Sequence, residues 1–430
     1  MSPRKILILT LGSHGDVQPY VALGCGLRDA GYSVTLCAPD FFAGFIGSHG
    51  LAHAPMDNGF VDLINTLEGR DALEHMGSVF GAIRVMATLV PKVGPLQERV
   101  QRDAWAAAQA SRPDLIVFHP KLGGATDIAV ALGVPAVLAP LFPQYVATDA
   151  FAAVGLPELP LGRAYRRATY GLVHFLGKRI GRGPIRRWRQ SAGLGPAPPL
   201  LGPFTDAQGQ PRPVLHGFSP LLCPRPADWP ANAVVLGDWP LVAAEDYVPE
   251  TALAAFLAAG PPPVYVGFGS MAGRHPAAKA RIVLEALRIA GVRGLVARGW
   301  GGLQPAELPS TVLAIDHVPH DWLLPQVAAV VHHGGAGTTH AGLRAGRPTV
   351  ICPFFGDQPF WGRRVEALGV GPSAIPQRRL TAERLAAAIS AATRDAAMAV
   401  RAARLGEQLR AEGGVARAVE FLGVVMAGSG

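Results

Sequence analysis

Residues 328–352 read AAVVHHGGAGTTHAGLRAGRPTVIC and combine an apolar run, a glycine-rich turn, a helix-like stretch and a second apolar run. A short continuous apolar run is typical of a strand buried on both faces of a parallel sheet. A helix between two such runs completes the crossover that joins parallel strands. The stretch therefore predicts a doubly wound α/β domain that binds ligands beyond the carboxyl ends of its strands.

The turn in this unit, HHGGAGTT at residues 332–339, has the composition of a phosphate-binding loop. Small residues let the backbone approach a ligand closely, and the N-terminus of the next helix offers free N–H groups and a positive dipole. The Gly-Lys-Ser/Thr ending of a Walker A loop is absent. We expect a diphosphate here, and tight helix–strand packing is the alternative.

The same alternation runs along the rest of the chain, on both sides of a proline-rich passage at 211–240. Apolar runs predict strands at 6–11, 33–38, 114–118, 136–139, 264–268, 295–297, 312–314, 328–332 and 349–352. Helices are expected from near Pro19 to Gly31 and over 124–132, 277–290 and 411–426. Because the proline-rich passage separates two such series, it reads as an inter-domain linker.

Two long segments, 58–109 and 142–203, lack this regular pattern and read as insertions that carry function. Both contain apolar and aromatic residues. They predict a pocket for an apolar ligand, with ordinary core as the alternative for each side chain.

The composition fits a folded protein of two or three domains, with 430 residues of which 49% are hydrophobic and 16% charged. Much of the formal net charge of +8 comes from residues 163–189. No zinc-ligand spacing, RNP-like motif or helix-turn-helix signature accompanies this basic stretch, so nucleic acid is not an expected partner. A solvated helix face is the plain interpretation, and an anionic membrane surface or an acidic acceptor is the alternative.

The cysteine spacing tests for a metal site, and the N-terminal sequence tests for a secretion signal. The four cysteines, at 25, 37, 223 and 352, form no CxxC pair, so neither a metal site nor a disulfide framework is expected. The N-terminal run is too short for a signal peptide, and no run approaches the roughly 20 apolar residues of a membrane span. We expect a cytosolic protein and leave open peripheral contact at the inner face of the membrane.

Two stretches at opposite ends of the chain resemble one known family. HHGGAGTTHAGLRAGRPTVICPFFGDQPFWGRRVEALGVGP, at 332–372, resembles the donor-binding signature of family 1 glycosyltransferases. GSHGDVQPYVALGCGLRDAGYSVTL, at 12–36, is similar to the GSRGDVQP start of the branch that contains sterol glucosyltransferases and the glycosyltransferases of bacterial antibiotic pathways.

The resemblance implies the GT-B fold, an α/β architecture with two doubly wound, Rossmann-like domains facing a central cleft. Its expected domains are an N-terminal acceptor-binding domain over 1–220, the proline-rich linker over 221–242 and a nucleotide-sugar-binding domain over 243–410. A final helix over 411–430 is expected to pack back on the N-terminal domain.

The resemblance also assigns donor-binding roles. The diphosphate would be held by His333, Gly335, Gly337, Thr338 and Thr339. The sugar hydroxyls would bond Asp357 and Gln358, and Ser270 would face the phosphates from the other side. The nucleobase would be framed by Arg298, Trp300 and the backbone near Val318. As alternatives, Asp357 could cap the following helix and Trp300 could simply pack. His340 stands where the family usually carries a small residue, and it receives no role.

Asp16 is the candidate catalytic base, because it follows the first strand at the expected cleft and a carboxylate can accept a proton as the new C–O bond forms. Many plant relatives carry a histidine there. Capping of the helix ahead of Pro19 is the alternative. Ser13 and His14 are secondary candidates. Plant relatives orient their histidine with an aspartate in the region where this chain has His119, and the role of His119 stays open.

The expected reaction is transfer of a hexose, glucose from UDP-glucose, to a hydroxyl of a lipophilic acceptor such as a sterol, triterpenoid, polyketide or glycolipid. The resemblance implies inversion at the anomeric carbon. The nucleotide sugar is a co-substrate, and neither a cofactor nor a metal ion is expected, because a helix N-terminus and His333 can stabilise the departing diphosphate. The alternatives are a dTDP-deoxysugar-dependent antibiotic glycosyltransferase, a sugar-nucleotide epimerase on the same fold and a non-catalytic helper protein.

Overall fold

The chain folds around two parallel β-sheets, each covered by helices. The computed structural model describes residues 3–66, 79–199, 201–242, 247–269, 276–298 and 308–428. Two sheets of parallel strands with helices are the α/β architecture that the alternating sequence pattern predicts.

The first sheet contains seven strands within the described residues. They are β1 (Lys5–Leu9), β2 (Ser33–Pro39), β3 (Ala52–Met56), β4 (Leu115–Phe118), β5 (Ala136–Leu138), β6 (Val214–His216) and β7 (Ala233–Val235). Their order in the sheet is β3-β2-β1-β4-β5-β6-β7. The helices that accompany them are α1 (His14–Asp29), α2 (Ala43–Ser48), α3 (Gly59–Asn65), α4 (Val79–Ser111), α5 (Ala125–Leu132) and α6 (Gly162–Ser191).

The second sheet contains five strands within the described part of the chain. They are β8 (Val264–Gly267), β9 (Gly294–Ala297), β10 (Val312–Ile315), β11 (Ala329–His332) and β12 (Thr349–Ile351), in the order β10-β9-β8-β11-β12. The remaining helices are α7 (Thr251–Ala258), α8 (Pro276–Ala290), α9 (His320–Leu323), α10 (Ala336–Arg344), α11 (Gln358–Ala367), α12 (Ala382–Arg394), α13 (Ala396–Arg410) and α14 (Gly414–Ala427).

Strand β1 shows why continuous apolar runs mark the central strands. Ile6 and Ile8 belong to one buried hydrophobic cluster, whereas Leu7 and Leu9 belong to another. Successive side chains of a strand point to opposite faces, so both faces of this sheet are covered.

Strand order places both candidate sites. In each sheet the direction of winding reverses between two adjacent strands, β1 and β4 in the first and β8 and β11 in the second. Ligands of open α/β sheets bind in the crevice outside the carboxyl ends of such strands. The loops after β1 and β4 are therefore neighbours, and so are those after β8 and β11.

Helix α1 begins at His14, which corrects the predicted start near Pro19. Ser13 is the N-cap, and its backbone N–H donates to the Asp16 carboxylate at 2.8 Å. This capping interaction starts the helix one turn earlier than proline alone indicates. Pro19 consequently lies inside the helix.

The proline-rich passage carries β6 and β7, two strands of the first sheet, so the interpretation of 211–240 as a plain linker is wrong. Each strand has only three residues, which is too short for a visible alternation among prolines. The strands add to the sheet edge beyond β5.

The two irregular-looking insertions contain long helices, α4 with 33 residues and α6 with 30. Tyr170 and Trp188 are buried on one side of α6. Prolines and scattered aromatic residues obscure the helical period in the sequence.

The terminal helix α14 packs on the first sheet's side of the molecule. Ala418, Leu422 and Met426 lie in the same buried cluster as Ile6 and Ile8 of β1. A Cβ added at Gly26 of α1 would lie 2.4 Å from a Val415 methyl group, so the glycine permits this close helix–helix approach.

All four cysteines are free, and three of them are buried. Burial raises the pKa of Cys37 and of Cys352 to about 12, so both thiols stay protonated and unreactive at neutral pH. Among the helices that the structure describes, none has the length and apolarity needed to span a bilayer.

Candidate active site

Asp16 lies just after β1, in the first turn of α1. Its Oδ2 accepts hydrogen bonds from the Ser13 backbone at 2.8 Å and the Ser13 hydroxyl at 3.1 Å. Gly12 makes room for this arrangement, since a Cβ there would lie 2.2 Å from Asp16 Oδ2. Asp16 therefore does cap the helix, as the alternative interpretation expects, and Oδ1 is the carboxylate oxygen that faces other elements.

His119, just after the neighbouring strand β4, contacts that oxygen. Its Nε2 lies 3.4 Å from Asp16 Oδ1, and its side chain is 2% exposed. The backbone N–H of Lys121 donates to His119 Nδ1 at 3.1 Å, which assigns the ring proton to Nε2. Burial lowers the pKa of His119, so a neutral imidazole presents its Nε2–H to Asp16 Oδ1 at 3.4 Å, longer than an ordinary hydrogen bond. His119 thus has a position beside the candidate base, which its sequence context alone left open.

Lys121 is the site residue that sequence reasoning missed. Its ammonium lies 2.8 Å from Asp16 Oδ1. Burial acts to raise the pKa of Asp16, but the Lys121 charge and the His119 hydrogen bond outweigh it and hold that pKa well below its ordinary value. No local motif signals this contact, because the two residues are 105 positions apart in the chain.

The secondary catalytic candidates have different positions. Ser13 is committed to Asp16 through both its backbone and its hydroxyl. His14 packs against Phe45 at 4.8 Å between ring centroids and against His317 of the second half at 5.7 Å. Burial, with neighbouring histidines, lowers the pKa of His14 to about 4. His14 is therefore neutral at pH 7 and lines the border between the halves.

The glycine-rich turn after β11 encloses His333. Gly334 has a φ of 94°, in the left-handed region that glycine tolerates. A Cβ on Gly335 would lie 2.6 Å from His333 Nε2, and one on Gly269 would lie 3.3 Å from Cε1. His333 Nδ1 is buried without a hydrogen-bond partner among the described residues. A water molecule or a diphosphate oxygen would satisfy this atom, and a neutral imidazole with its proton on Nδ1 can donate to either.

The N-terminus of α10 follows the turn, with Gly335 as its N-cap. Gly337 is exposed and Thr338 is partly exposed, so both can face a ligand with their backbone N–H groups. Thr339 is buried, and both its N–H and its hydroxyl donate to the Gly335 carbonyl. Thr339 therefore secures the turn rather than presenting a free donor. His332, the last residue of β11, is a buried core residue.

Asp357 and Gln358 lie after β12, at the start of α11. Asp357 occupies the N-cap position, but its Oδ2 accepts from Trp361 Nε1 at 2.9 Å instead of capping the helix. Burial raises the pKa of Asp357 to about 6, despite the Trp361 hydrogen bond that opposes it. The Gln358 side-chain oxygen accepts from the Phe354 and Phe355 backbone, which leaves its amide nitrogen for a sugar hydroxyl.

The predicted nucleobase residues are only partly described. Arg298 follows β9 and pairs with Asp316 at 3.0 Å on the surface, and Val318 is half-buried beyond β10. Because β9 and β10 are adjacent, these two residues lie at one end of the sheet. Ser270 and Trp300 lie outside the described residues.

His340, the departure from the family pattern, connects the two halves. Its ring is buried on α10, and Nδ1 donates to the Ala336 carbonyl at 2.7 Å. Its Nε2 accepts from the Ser219 backbone N–H at 3.1 Å, just after β6 of the first sheet. The ring also packs edge-on against Trp361, the partner of Asp357, at 5.1 Å.

The two sheets present their loops to one another. Burial is the main cause of the raised pKa of Asp357, and the negative charge of Asp16, from the other half, adds to it. Phe151, in the insertion after β5, packs against Phe360 of α11 at 5.2 Å. The elements that carry the candidate base in one half and the predicted sugar contact in the other thus meet at the junction of the two halves. Within the described residues no cluster of metal-ligating side chains occurs.

Comparisons with known proteins identify relatives of both halves of the chain. Residues 6–148 match the glycosyltransferase family 28 N-terminal domain, and residues 302–421 match the erythromycin biosynthesis protein CIII-like C-terminal domain. A sterol 3-beta-glucosyltransferase of Emericella nidulans is 37% identical over 98% of this chain, and one of Arabidopsis thaliana is 36% identical over 97%. The chain spans 30% of the fungal relative and 65% of the plant one.

Solved structures give the same fold. The glycotransferase of kitacinnamycin has a TM-score of 0.69 at 22% identity, with 99% of each chain covered. SsfS6 of Streptomyces sp. SF2575, in complex with thymidine diphosphate, has a TM-score of 0.63 at 22% identity, with 97% of this chain and 99% of that one covered.

The chain has the GT-B fold of these structures, and each of its two halves matches a domain model of this class of proteins. The chain belongs to the family 1 glycosyltransferases of the GT-B fold.

Proposed function

We propose that this protein transfers glucose from UDP-glucose to the hydroxyl of a sterol or a related flat, lipophilic acceptor, with inversion at the anomeric carbon. One observation carries the reaction type: the loop with Asp16 and the loop with Asp357 come from different sheets and meet the opposite half, through the His14–His317 and Phe151–Phe360 contacts. The choice of glucose and sterol is supported by relatives named sterol 3-beta-glucosyltransferase, which match 97% or more of this chain.

In the proposed step the acceptor oxygen attacks C1 of the sugar while Asp16 takes its proton. The bond between C1 and the diphosphate oxygen breaks, and the nucleotide diphosphate leaves. His119 holds the Asp16 carboxylate in place through its Nε2–H. Because the attack comes from the face opposite the leaving group, an α-linked donor gives a β-glycoside.

The departing diphosphate gains negative charge, which fixed donors can stabilise. The free N–H groups at the start of α10 and the unpartnered His333 Nδ1 serve this role. These groups need no reorganisation during the reaction, so we propose catalysis without a metal ion.

An apolar acceptor suits the wall beside Asp16. Tyr145, in the insertion after β5, is close enough that, with burial as the main cause, the charge of Asp16 also raises its pKa. Phe142 packs near it at 6.4 Å between ring centroids, and Phe151 reaches the second half. Aromatic rings offer a large apolar surface to a flat, fused-ring acceptor.

Peripheral membrane contact through α6 forms a further part of the proposal, and it fits a protein located in the cytosol. Leu172 and Phe175 are 49% and 62% exposed, one helical turn apart. The same face continues into Arg179, Arg182 and Arg186, which form no ion pair with any described residue. An apolar stripe beside basic residues suits an anionic lipid surface.

The membrane contact is tested by sedimentation with phosphatidylserine-containing and purely zwitterionic vesicles. The double variant Leu172→Ser/Phe175→Ser should lose binding to the anionic vesicles. Val400→Ser is the matched control, because Val400 is 68% exposed on α13 of the other half. Equal binding by both variants would contradict a role for α6.

The reaction itself is tested by incubating the purified protein with UDP-glucose or dTDP-glucose and sterol, triterpenoid, macrolide or phenol acceptors, without added metal. The expected result is a sterol glucoside formed from UDP-glucose, with a β linkage in the NMR spectrum of the product. A preference for dTDP-glucose and a macrolide would favour the antibiotic-type alternative. Conversion of the donor to another sugar nucleotide would favour an epimerase. Donor binding without any conversion would favour a non-catalytic helper protein.

A further inference from the structure

We propose that Lys121 is a latch on the catalytic carboxylate: its ammonium group occupies Asp16 until an acceptor hydroxyl displaces it, and so prevents hydrolysis of the donor by water. This inference rests on the proposed function, since it takes Asp16 as the base.

Each oxygen of the Asp16 carboxylate has two donor groups beside it in the structure. Oδ2 accepts two hydrogen bonds from Ser13, at 2.8 and 3.1 Å. Oδ1 faces the Lys121 ammonium at 2.8 Å and His119 Nε2 at 3.4 Å. Since a carboxylate offers about four lone-pair positions, an acceptor hydroxyl must replace one of these donors before Asp16 can take its proton.

Of the four donors, Lys121 is the one free to leave. The Ser13 groups are fixed by the start of α1, and His119 is buried with its Nδ1 held by a backbone N–H. The Lys121 side chain is 44% exposed, and lysine carries its charge on a flexible four-carbon stem. The stem can therefore carry the ammonium from Oδ1 into solvent.

The latch matters because water can replace the acceptor in the same reaction. A water molecule bound at Asp16 would lose a proton to the carboxylate while its oxygen attacks C1 of the sugar. The bond between C1 and the diphosphate would break, giving free glucose and the nucleotide diphosphate. An ammonium group on Oδ1 excludes that water, whereas a bulky apolar acceptor in the cleft can push the lysine aside.

Lys121 also dominates the charge around Asp16. The ionisable groups that face this carboxylate are His119, from the same loop as Lys121, Tyr20 of α1, Tyr145 of the insertion, and Asp357 from the opposite half. Burial keeps the imidazole and the two phenols neutral near pH 7, so the positive charge in this set is that of Lys121. Removing it makes Asp16 a stronger base.

The test compares Lys121→Met with wild type, with Lys121→Arg, which keeps a cation at Oδ1, and with Lys5→Met, a lysine at the opposite end of β1. Two quantities are measured: UDP release from UDP-glucose without acceptor, and the pH dependence of kcat/KM for the acceptor. We expect Lys121→Met to raise acceptor-free release several-fold and to move the acid limb of the pH profile upward by about one unit or more. Lys121→Arg should restore the low acceptor-free release and the low acid limb, because it keeps a cation at Oδ1, and Lys5→Met should stay near wild type in both quantities.

Two results would overturn the latch while transfer remains measurable. One is a Lys121→Met variant whose acceptor-free release and acid limb both equal those of wild type. The other is a variant whose donor KM rises while the acid limb stays unchanged, since Lys121 would then bind substrate. If wild type released no UDP with any acceptor, the proposed function would be wrong and the latch with it. Failure of the latch alone is different, because wild type then still transfers glucose to the acceptor.

Discussion

Replacement of His340 by alanine should weaken the junction between the two halves. The ring is 3% exposed and is held by hydrogen bonds to the Ala336 carbonyl and the Ser219 N–H. Its loss leaves a buried N–H without a partner, which costs about 1–3 kcal/mol. Loss of the edge-on contact with Trp361 adds about 0.5–1.5 kcal/mol. The expected total is about 2–4 kcal/mol of unfolding free energy.

The same substitution should act on the donor site through a short chain of contacts. His340 packs on Trp361, and Trp361 donates its indole N–H to Asp357. With the ring removed, Trp361 can shift and Asp357 loses its fixed orientation. We therefore expect the KM for the nucleotide sugar to rise more than the KM for the acceptor.

Chemical denaturation and steady-state kinetics with each substrate varied in turn measure the two effects. His340→Asn is the matched variant: its side-chain amide can still donate to the Ala336 carbonyl, while the link to Ser219 is lost, so an intermediate destabilisation is expected. A His340→Ala variant within about 0.5 kcal/mol of wild type, with both KM values unchanged, would refute the reasoning.

Three further predictions, one of them with a control substitution, test separate parts of the account. Asp127→Ala should lower the unfolding free energy by about 3–5 kcal/mol, because it leaves the charge of Arg189 buried without its carboxylate partner. The control Asp29→Ala breaks an exposed ion pair on α1 and should lower it by less than about 1 kcal/mol. Urea unfolding of the two variants and wild type measures both effects. The pKa of Asp357 is raised from 3.8 to about 6, so the contribution of this carboxyl group to the unfolding free energy falls as the pH rises through that window. At about pH 8 the Asp357→Asn variant should therefore have an unfolding free energy up to about 3 kcal/mol above that of wild type, and it should no longer use the donor. Equal stability of the two proteins at every pH would contradict this. Gly335→Ala should abolish nucleotide binding in calorimetry, because the added Cβ would lie 2.6 Å from the His333 ring, and unchanged affinity would exclude the turn as the diphosphate site.

Sequence reasoning located the central strands because buried parallel strands are continuous apolar runs. The predicted strand at 264–268, for example, is β8, Val264–Gly267. Prediction from the sequence failed where a short local feature decides the structure. The Ser13 cap moves the start of α1 to His14, and the brief strands β6 and β7 are hidden among prolines.

Some parts of the candidate site could also be predicted from the sequence, and others could not. The glycine-rich turn could be predicted, because a close backbone approach to a ligand demands a recognisable residue type. The contacts of Lys121 with Asp16 and of His340 with Ser219 could not, because each joins residues more than a hundred positions apart through the topology of the sheets. Thr339 shows a further limit, since its hydroxyl turns inward to the Gly335 carbonyl, which sequence alone does not reveal.

The most direct test of the central claim compares Asp16→Asn with wild type for acceptor-dependent UDP release, and measures UDP binding to both proteins by calorimetry. Asparagine fills nearly the same space but cannot accept the acceptor proton. We predict that release falls by about 10²–10⁴-fold while UDP affinity is unchanged. An Asp16→Asn enzyme that retains wild-type release would show that Asp16 is not the base.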